Sequence, residues 1–149
     1  MYIPIIYTGS FPYGDASANR ILSYAVEMAN LGQEVQVISL VTYDQPFTDE
    51  ERADLMRHAA ITYKGVNVHY VSGRDFWPRE KGKKVKKLWL YFKGVLRATK
   101  LLKRRKGEYK SVIMYGSSVF QYFWLSRVVK RNNAKLVVER AELPSIEQK

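Results

Sequence analysis

A chain of 149 residues with 46% hydrophobic and 26% charged side chains is long enough to bury the core of one domain and too apolar for a disordered tail. It has no cysteine, which excludes a disulfide framework and a thiolate metal site. Twenty-five Lys and Arg against fourteen Asp and Glu give a formal charge of +11. That balance attracts anionic partners such as lipid head groups, nucleic acid or phosphorylated substrates, without choosing among them.

The start has neither a basic leader region nor a small-residue cleavage site, and Ile3 to Thr8 reads as a strand covered on both faces. Turn residues follow from Gly9 to Asp15. From about Ser17 the apolar residues Ile21, Leu22, Ala25, Met28 and Ala29 recur at threes and fours, the spacing of a helix face. Asp15 or Ser17 can cap its start, and Gly32 suits a left-handed residue just past its end. Val35 to Leu40 is the next strand and completes a β-α-β unit. Thr48-Asp49-Glu50-Glu51 fits a capping box before a short helix to about Ala60, read as an insertion over the sheet edge.

Val66 to Ser72 is a further strand. A long helix is expected from about Lys84 to Lys106, with Val85, Leu88, Trp89, Phe92, Val95, Leu96, Leu101 and Leu102 as its apolar face, and Gly107 ends it. Ser111 to Gly116 is a strand, Ser117 a cap for a helix from about Ser118 to Asn132, and Lys135 to Glu139 the last strand. No apolar run approaches the about 20 residues that cross a bilayer. His58 and His69 read as ordinary surface or half-buried residues, because a metal site needs several convergent donors.

Strands alternating with helices predict one α/β domain over residues 1–149, a Rossmann-like doubly wound parallel sheet with helices on both faces. The sequence stops soon after a strand, without the helix that should cover it, so the chain is expected to be a piece of a larger enzyme. Ligands of such sheets gather beyond the carboxyl ends of the strands. Three segments are expected there: Gly9 to Arg20, Gly116-Ser117-Ser118, and Glu139 to Pro144. The first lacks both the Gly-x-Gly-x-x-Gly fingerprint of dinucleotide binding and the Gly-Lys-Ser/Thr ending of a P-loop. Its Gly-Asp-Ala-Ser-Ala-Asn-Arg run reads either as a phosphate-facing loop, with Arg20 as the cation, or as a helix cap beside a surface arginine.

The run Phe11-Pro12-Tyr13-Gly14-Asp15-Ala16-Ser17-Ala18-Asn19-Arg20, followed by Leu31-Gly32-Gln33-Glu34-Val35, resembles the start of retaining glycosyltransferases of the GT-B fold, family 4 type. Gln33 stands where that family commonly has His, and Asp15 follows Gly14 where paired glycines are frequent. Near the other end, Glu139-Arg140-Ala141-Glu142-Leu143-Pro144 is similar to the Glu-x-x-Glu-hydrophobic-Pro segment of related polysaccharide-building enzymes. The resemblance implies an N-terminal, acceptor-side half of a GT-B enzyme of polysaccharide or glycolipid assembly. A second domain, absent from these residues, would bind most of the nucleotide-sugar donor. It implies transfer without a bound metal and without a cofactor, the nucleotide sugar being a substrate. Gly14, Asp15, Asn19 and Arg20 become candidates for the cleft loop, and Gly116, Ser117, Glu139 and Glu142 for the acceptor side. No catalytic residue is assigned.

Between Glu80 and Glu108 the chain holds twelve Lys or Arg residues and no acid, interleaved with Trp89, Tyr91 and Phe92. Aromatic and cationic residues on one helix suit an anionic membrane surface, with Lys84, Lys87, Trp89, Lys93, Arg97 and Arg104 facing it, as expected of a peripheral enzyme on the cytoplasmic side with a lipid-linked acceptor. The rival reading is a non-catalytic module that binds nucleic acid or nucleotides, with phosphates tracked by the lysines and bases stacked on the rings.

Overall fold

The computed structural model describes residues 1–80, 82–116 and 118–139. Its elements are β1 (Tyr2–Tyr7), α1 (Ala16–Asn30), β2 (Glu34–Ser39), α2 (Asp49–His58), β3 (Ala60–Tyr63), β4 (Val66–Tyr70), α3 (Lys84–Arg104), β5 (Ser111–Tyr115), α4 (Val119–Arg131) and β6 (Lys135–Glu139). Among the described residues the strands form one sheet in the order β3-β4-β2-β1-β5-β6. Five of the six run parallel, and β3 pairs antiparallel with β4. This is the Rossmann-like arrangement the alternating pattern predicts.

Two corrections concern the sheet edge and α3. The segment before Gly65 reads in sequence as an insertion without a strand, within a wholly parallel sheet. In the structure α2 ends with Ala59 in the left-handed region, and Ala60–Tyr63 returns as a hairpin on β4. Lys64 and Gly65 both have positive φ, 47° and 77°, the two-residue turn whose twist matches paired strands.

The second correction is to the apolar face of α3. Of the residues expected to form that face, Val85, Leu88, Trp89 and Leu96 are exposed, and the face turned inward carries Leu90, Gly94, Val95, Ala98, Thr99 and Leu102. Gly94 explains the difference: a Cβ there would stand 2.0 Å from the carbonyl oxygen of Leu40. The helix approaches the sheet most closely at Gly94, and Val85, Leu88, Trp89 and Leu96 lie off that seam.

The central strand β1 is buried throughout. Alternation sends Ile3, Ile5 and Tyr7 to one face, under Ala18, Ile21 and Ala25 of α1 and Leu55 of α2. Ile6 faces the other side with Ile38, Val112 and Met114, under Val95, Ala98 and Leu102 of α3 and Leu125, Val128 and Val129 of α4. Fully burying each such aliphatic side chain contributes about 1.5–3 kcal/mol, which is what holds two helical layers onto one sheet. Asp15 caps α1 by accepting from the amides of Ser17 and Ala18, at 3.0 and 3.3 Å. Thr48 and Glu51 form the expected capping box on α2. The chain builds outward from β1 to β4, then α3 carries it back across the sheet to β5. The direction of winding therefore reverses between β1 and β5.

Candidate functional site

At that reversal the helices following β1 and β5 diverge, and the strand ends leave a crevice. It is a cavity of about 270 Å³ lined by Tyr7, Thr8 and Gly9 from the end of β1, Tyr115 and Gly116 from the end of β5, Ser118 and Gln121 from the start of α4, and Tyr91 from α3. The Tyr7 and Tyr115 rings meet edge to face at 5.9 Å. Burial pushes the Tyr7 phenol up, reinforced by the Asp15 carboxylate, so the ring stays neutral in the physiological range. Burial raises Tyr91 in the same way, against the Ser118 hydrogen bond that lowers it.

The polar groups form one directed network. Ser118 Oγ accepts from the Gln121 amide N–H at 3.2 Å and so caps α4. The same hydroxyl is bonded to Tyr91 OH. Thr8 Oγ1 donates to Gln121 Oε1 at 3.1 Å, and Tyr91 OH donates to the same oxygen at 3.3 Å. Among the described residues Gln121 Nε2 has no hydrogen-bond partner, and the residue is only 1% exposed. Leaving a buried donor unpaired costs about 1–3 kcal/mol.

The loop from Gly9 to Gly14 lies along the same rim and is held rigidly. The Phe11 side chain is fully buried, and its carbonyl accepts from Gln45 Nε2 at 2.8 Å and from Tyr70 OH at 2.7 Å. Tyr13 donates its hydroxyl to Glu51 at 2.9 Å and its amide to Gln45 Oε1 at 3.1 Å.

The candidates read from sequence divide accordingly. Gly14 is demanded by packing, since a Cβ would stand 2.1 Å from the Ser10 carbonyl oxygen and 2.7 Å from the Ala18 Cβ. Asp15 spends its carboxylate on the α1 cap. Asn19 is exposed on the first turn of α1, with its carbonyl accepting from Ser23. Arg20 reaches across the rim to Glu139 at the end of β6, at 3.3 Å. Gly116, φ 63°, lines the crevice and donates its amide to the Glu139 carbonyl. The structure thus brings Arg20, Gly116 and Glu139 to one rim. Ser117 and Glu142 lie outside the described residues, and the side-chain cap expected of Ser117 comes from Ser118. Tyr7, Thr8, Tyr91 and Gln121 were not singled out from sequence as crevice residues. Tyr91 carried a partial signal, as an aromatic within the basic segment, and Gln121 carried none.

The basic segment does not present one face. Trp89 belongs to an exposed apolar stripe with Val85, Leu88 and Leu96 that continues onto α4. Phe92 packs on Phe120 at 4.4 Å, Phe120 on Trp124 at 6.1 Å, and Tyr122, Phe123 and Trp124 are all more than a third exposed. Lys84 is exposed and Lys87 half-buried at the start of the helix. Lys93 pairs with Asp75 at 3.2 Å, whereas Arg97 and Arg104 turn toward β4. Among the described residues there is no cluster of three His, Cys, Asp or Glu placed to hold a metal, and no helix long and apolar enough to cross a membrane.

These features define a Rossmann-like α/β domain with a switch-point crevice. No protein-family model matches the chain, and no curated protein matches it. It is similar in structure to the C-terminal domain of a hydrogenase from Pyrococcus furiosus. One crystal structure of that domain, residues 78–226, superposes with a TM-score of 0.55 at 16% identity, over 93% of this chain and 89% of that one. A second, residues 83–215, gives 0.55 at 15% identity, over 93% and 90%. At such identity the likeness is one of fold.

Proposed function

We propose that this chain is the acceptor-side, N-terminal half of a retaining GT-B glycosyltransferase that moves a sugar from a nucleotide-sugar donor to a glycan or lipid-linked acceptor without a metal. The observation that carries the reading is the tyrosine-walled, hydroxyl-lined crevice at the switch point. Tyrosine rings suit the C–H faces of a sugar, and the Thr8, Tyr91 and Ser118 hydroxyls on the crevice wall suit its hydroxyl groups. The α4 N-terminus beside them favours negative charge developing on an oxygen. Arg20 and Glu139 sit at the outer rim, where a donor phosphate would approach from a second lobe. The exposed rings of Trp89 and Trp124, beside a strongly basic helix, support attachment to an anionic membrane, where a lipid-linked acceptor would be met.

The test is transfer by the complete protein, assayed against a panel of nucleotide sugars with membrane lipid extracts and oligosaccharides as acceptors. Gln121→Leu and Arg20→Ala are each expected to cut turnover at least tenfold while leaving the circular dichroism spectrum unchanged. Absence of transfer across the panel, or unchanged turnover in both variants, would remove the assignment. Binding to single-stranded DNA but not to anionic vesicles at physiological salt would favour the nucleic-acid reading instead.

A further inference from the structure

We propose a second binding site, for a phosphate-type dianion, in the cleft between α3 and the end of β4. This cavity of about 280 Å³ shares no lining residue with the switch-point crevice. Arg97, Lys100 and Arg104 line it from the helix and His69 and Gly73 from the β4 side, with Leu101 in its wall. None of its lining residues is acidic.

Three observations make this more than a solvated row of charges. The first is convergence. Among the described residues Arg97, Lys100 and Arg104 have no carboxylate within 4.0 Å, as is true of most described cations, but these three converge on one cavity with no acidic residue in its lining. Spacings of three and four put these cations side by side on one helix face, where like charges repel unless an anion sits among them. The second is orientation. Arg97 Nη1 is shared between the carbonyls of Val71 and Ser72, at 3.3 and 3.4 Å, which fixes the guanidinium and leaves its remaining N–H donors for a ligand. Gly73 makes this seat possible: its φ is +96°, and a Cβ would stand 3.1 Å from Arg97 Nη1.

The third is His69. Val66, Val68 and Tyr70 belong to the core on the α1 side, so alternation turns His69 toward α3, between Ile38 of β2 and Ala60 of β3. Burial lowers its pKa, so at neutral pH it enters the cleft as a neutral ring able to donate one N–H. A guanidinium fork, a second arginine, an ammonium and an imidazole around a small cavity match the oxygens of a phosphate ester, whether soluble or on a lipid head group.

The experiment follows the His69 ring and Gly73 amide resonances of the whole chain by NMR. Inorganic phosphate and pyrophosphate are titrated in one arm, and phosphatidylcholine vesicles with and without phosphatidic acid are added in the other. Saturable shifts in the first arm, weakened about tenfold per charge by Arg97→Gln and by Arg104→Gln, would establish a soluble phosphate ligand. Vesicle binding that needs phosphatidic acid and is lost in the same variants, without saturation by soluble phosphate, would assign the site to a head group. A Lys130→Gln/Arg131→Gln variant removes two charges from the end of α4 and should bind like the parent. The proposal is overturned if neither arm perturbs these resonances, or if that control weakens binding as much as Arg97→Gln/Arg104→Gln does. Both outcomes are independent of whether the protein transfers a sugar.

Discussion

Gly94→Ala sets two magnitudes of opposite sign against each other. In a helix interior alanine is favoured over glycine by about 1 kcal/mol, so local propensity alone makes the variant more stable. Against it stands the Leu40 carbonyl, 2.0 Å from where the new Cβ would lie and well over an ångström inside ordinary contact, 3.4 Å or more. The obstacle is backbone at the end of β2 and cannot swing aside like a side chain. Overpacking of this kind costs about 1–3 kcal/mol, and a rigid partner places it at the upper end. The expected net loss is about 2 kcal/mol, a fall in Tm of about 4–8 °C for a domain of this size. Thermal and urea unfolding followed by circular dichroism measure it, with Gly82→Ala, where a Cβ meets nothing within 4 Å, as the control. A Gly94→Ala protein as stable as the parent would refute the close approach of α3 to β2, and with it the placement of Tyr91, three residues earlier, in the crevice.

Asp15→Ala removes the cap of α1 and should cost about 1 kcal/mol in urea unfolding, with no loss if the carboxylate is not bonded to the Ser17 and Ala18 amides. Tyr2 and Tyr13 are both pushed up to about 12, chiefly by burial, so the folded state holds these protons more tightly than the unfolded chain does. Their contribution is present in full below the ordinary value of 10.0 and is lost as pH rises from there toward about 12. Tyrosinate absorbance rising before any loss of helical signal would contradict this. Trp89→Ala with Trp124→Ala should reduce partitioning onto anionic vesicles at least tenfold while leaving stability within about 1 kcal/mol, since both rings are more than a third exposed. Co-sedimentation reads the first quantity and thermal unfolding the second.

What the sequence discloses follows from where each signal resides. The β1-α1-β2 unit was readable because Asp15, Ile21, Ala25 and Gly32 each carry a local rule, and those rules agree. The strand Ala60–Tyr63 was not, since four residues after a helix give alternation little room to show. Helix α3 misled for a physical reason. Periodicity weighs large apolar residues, whereas close packing on a sheet is made by Gly94, Ala98 and Thr99, and it left Leu88, Trp89 and Leu96 to form an outer stripe. The rim was legible through Arg20, Gly116 and Glu139 as strand-end and helix-start residues. The crevice itself was not: Thr8 and Gln121 are 113 positions apart, and a mid-sequence glutamine resembles any surface residue until the fold buries it.

Helix α3 presents three functions at fixed angular phase, about 100° per residue: a small-residue seam against the sheet, the aromatic stripe, and the cation row beside His69. Side chains within any one sector can vary, but the register between sectors cannot. Inserting or deleting a single residue after Gly94 would swing Arg97 and Arg104 by more than a quarter turn while Tyr91 stayed put. Over time this helix should therefore accept exchanges of residue type more readily than any change in its length.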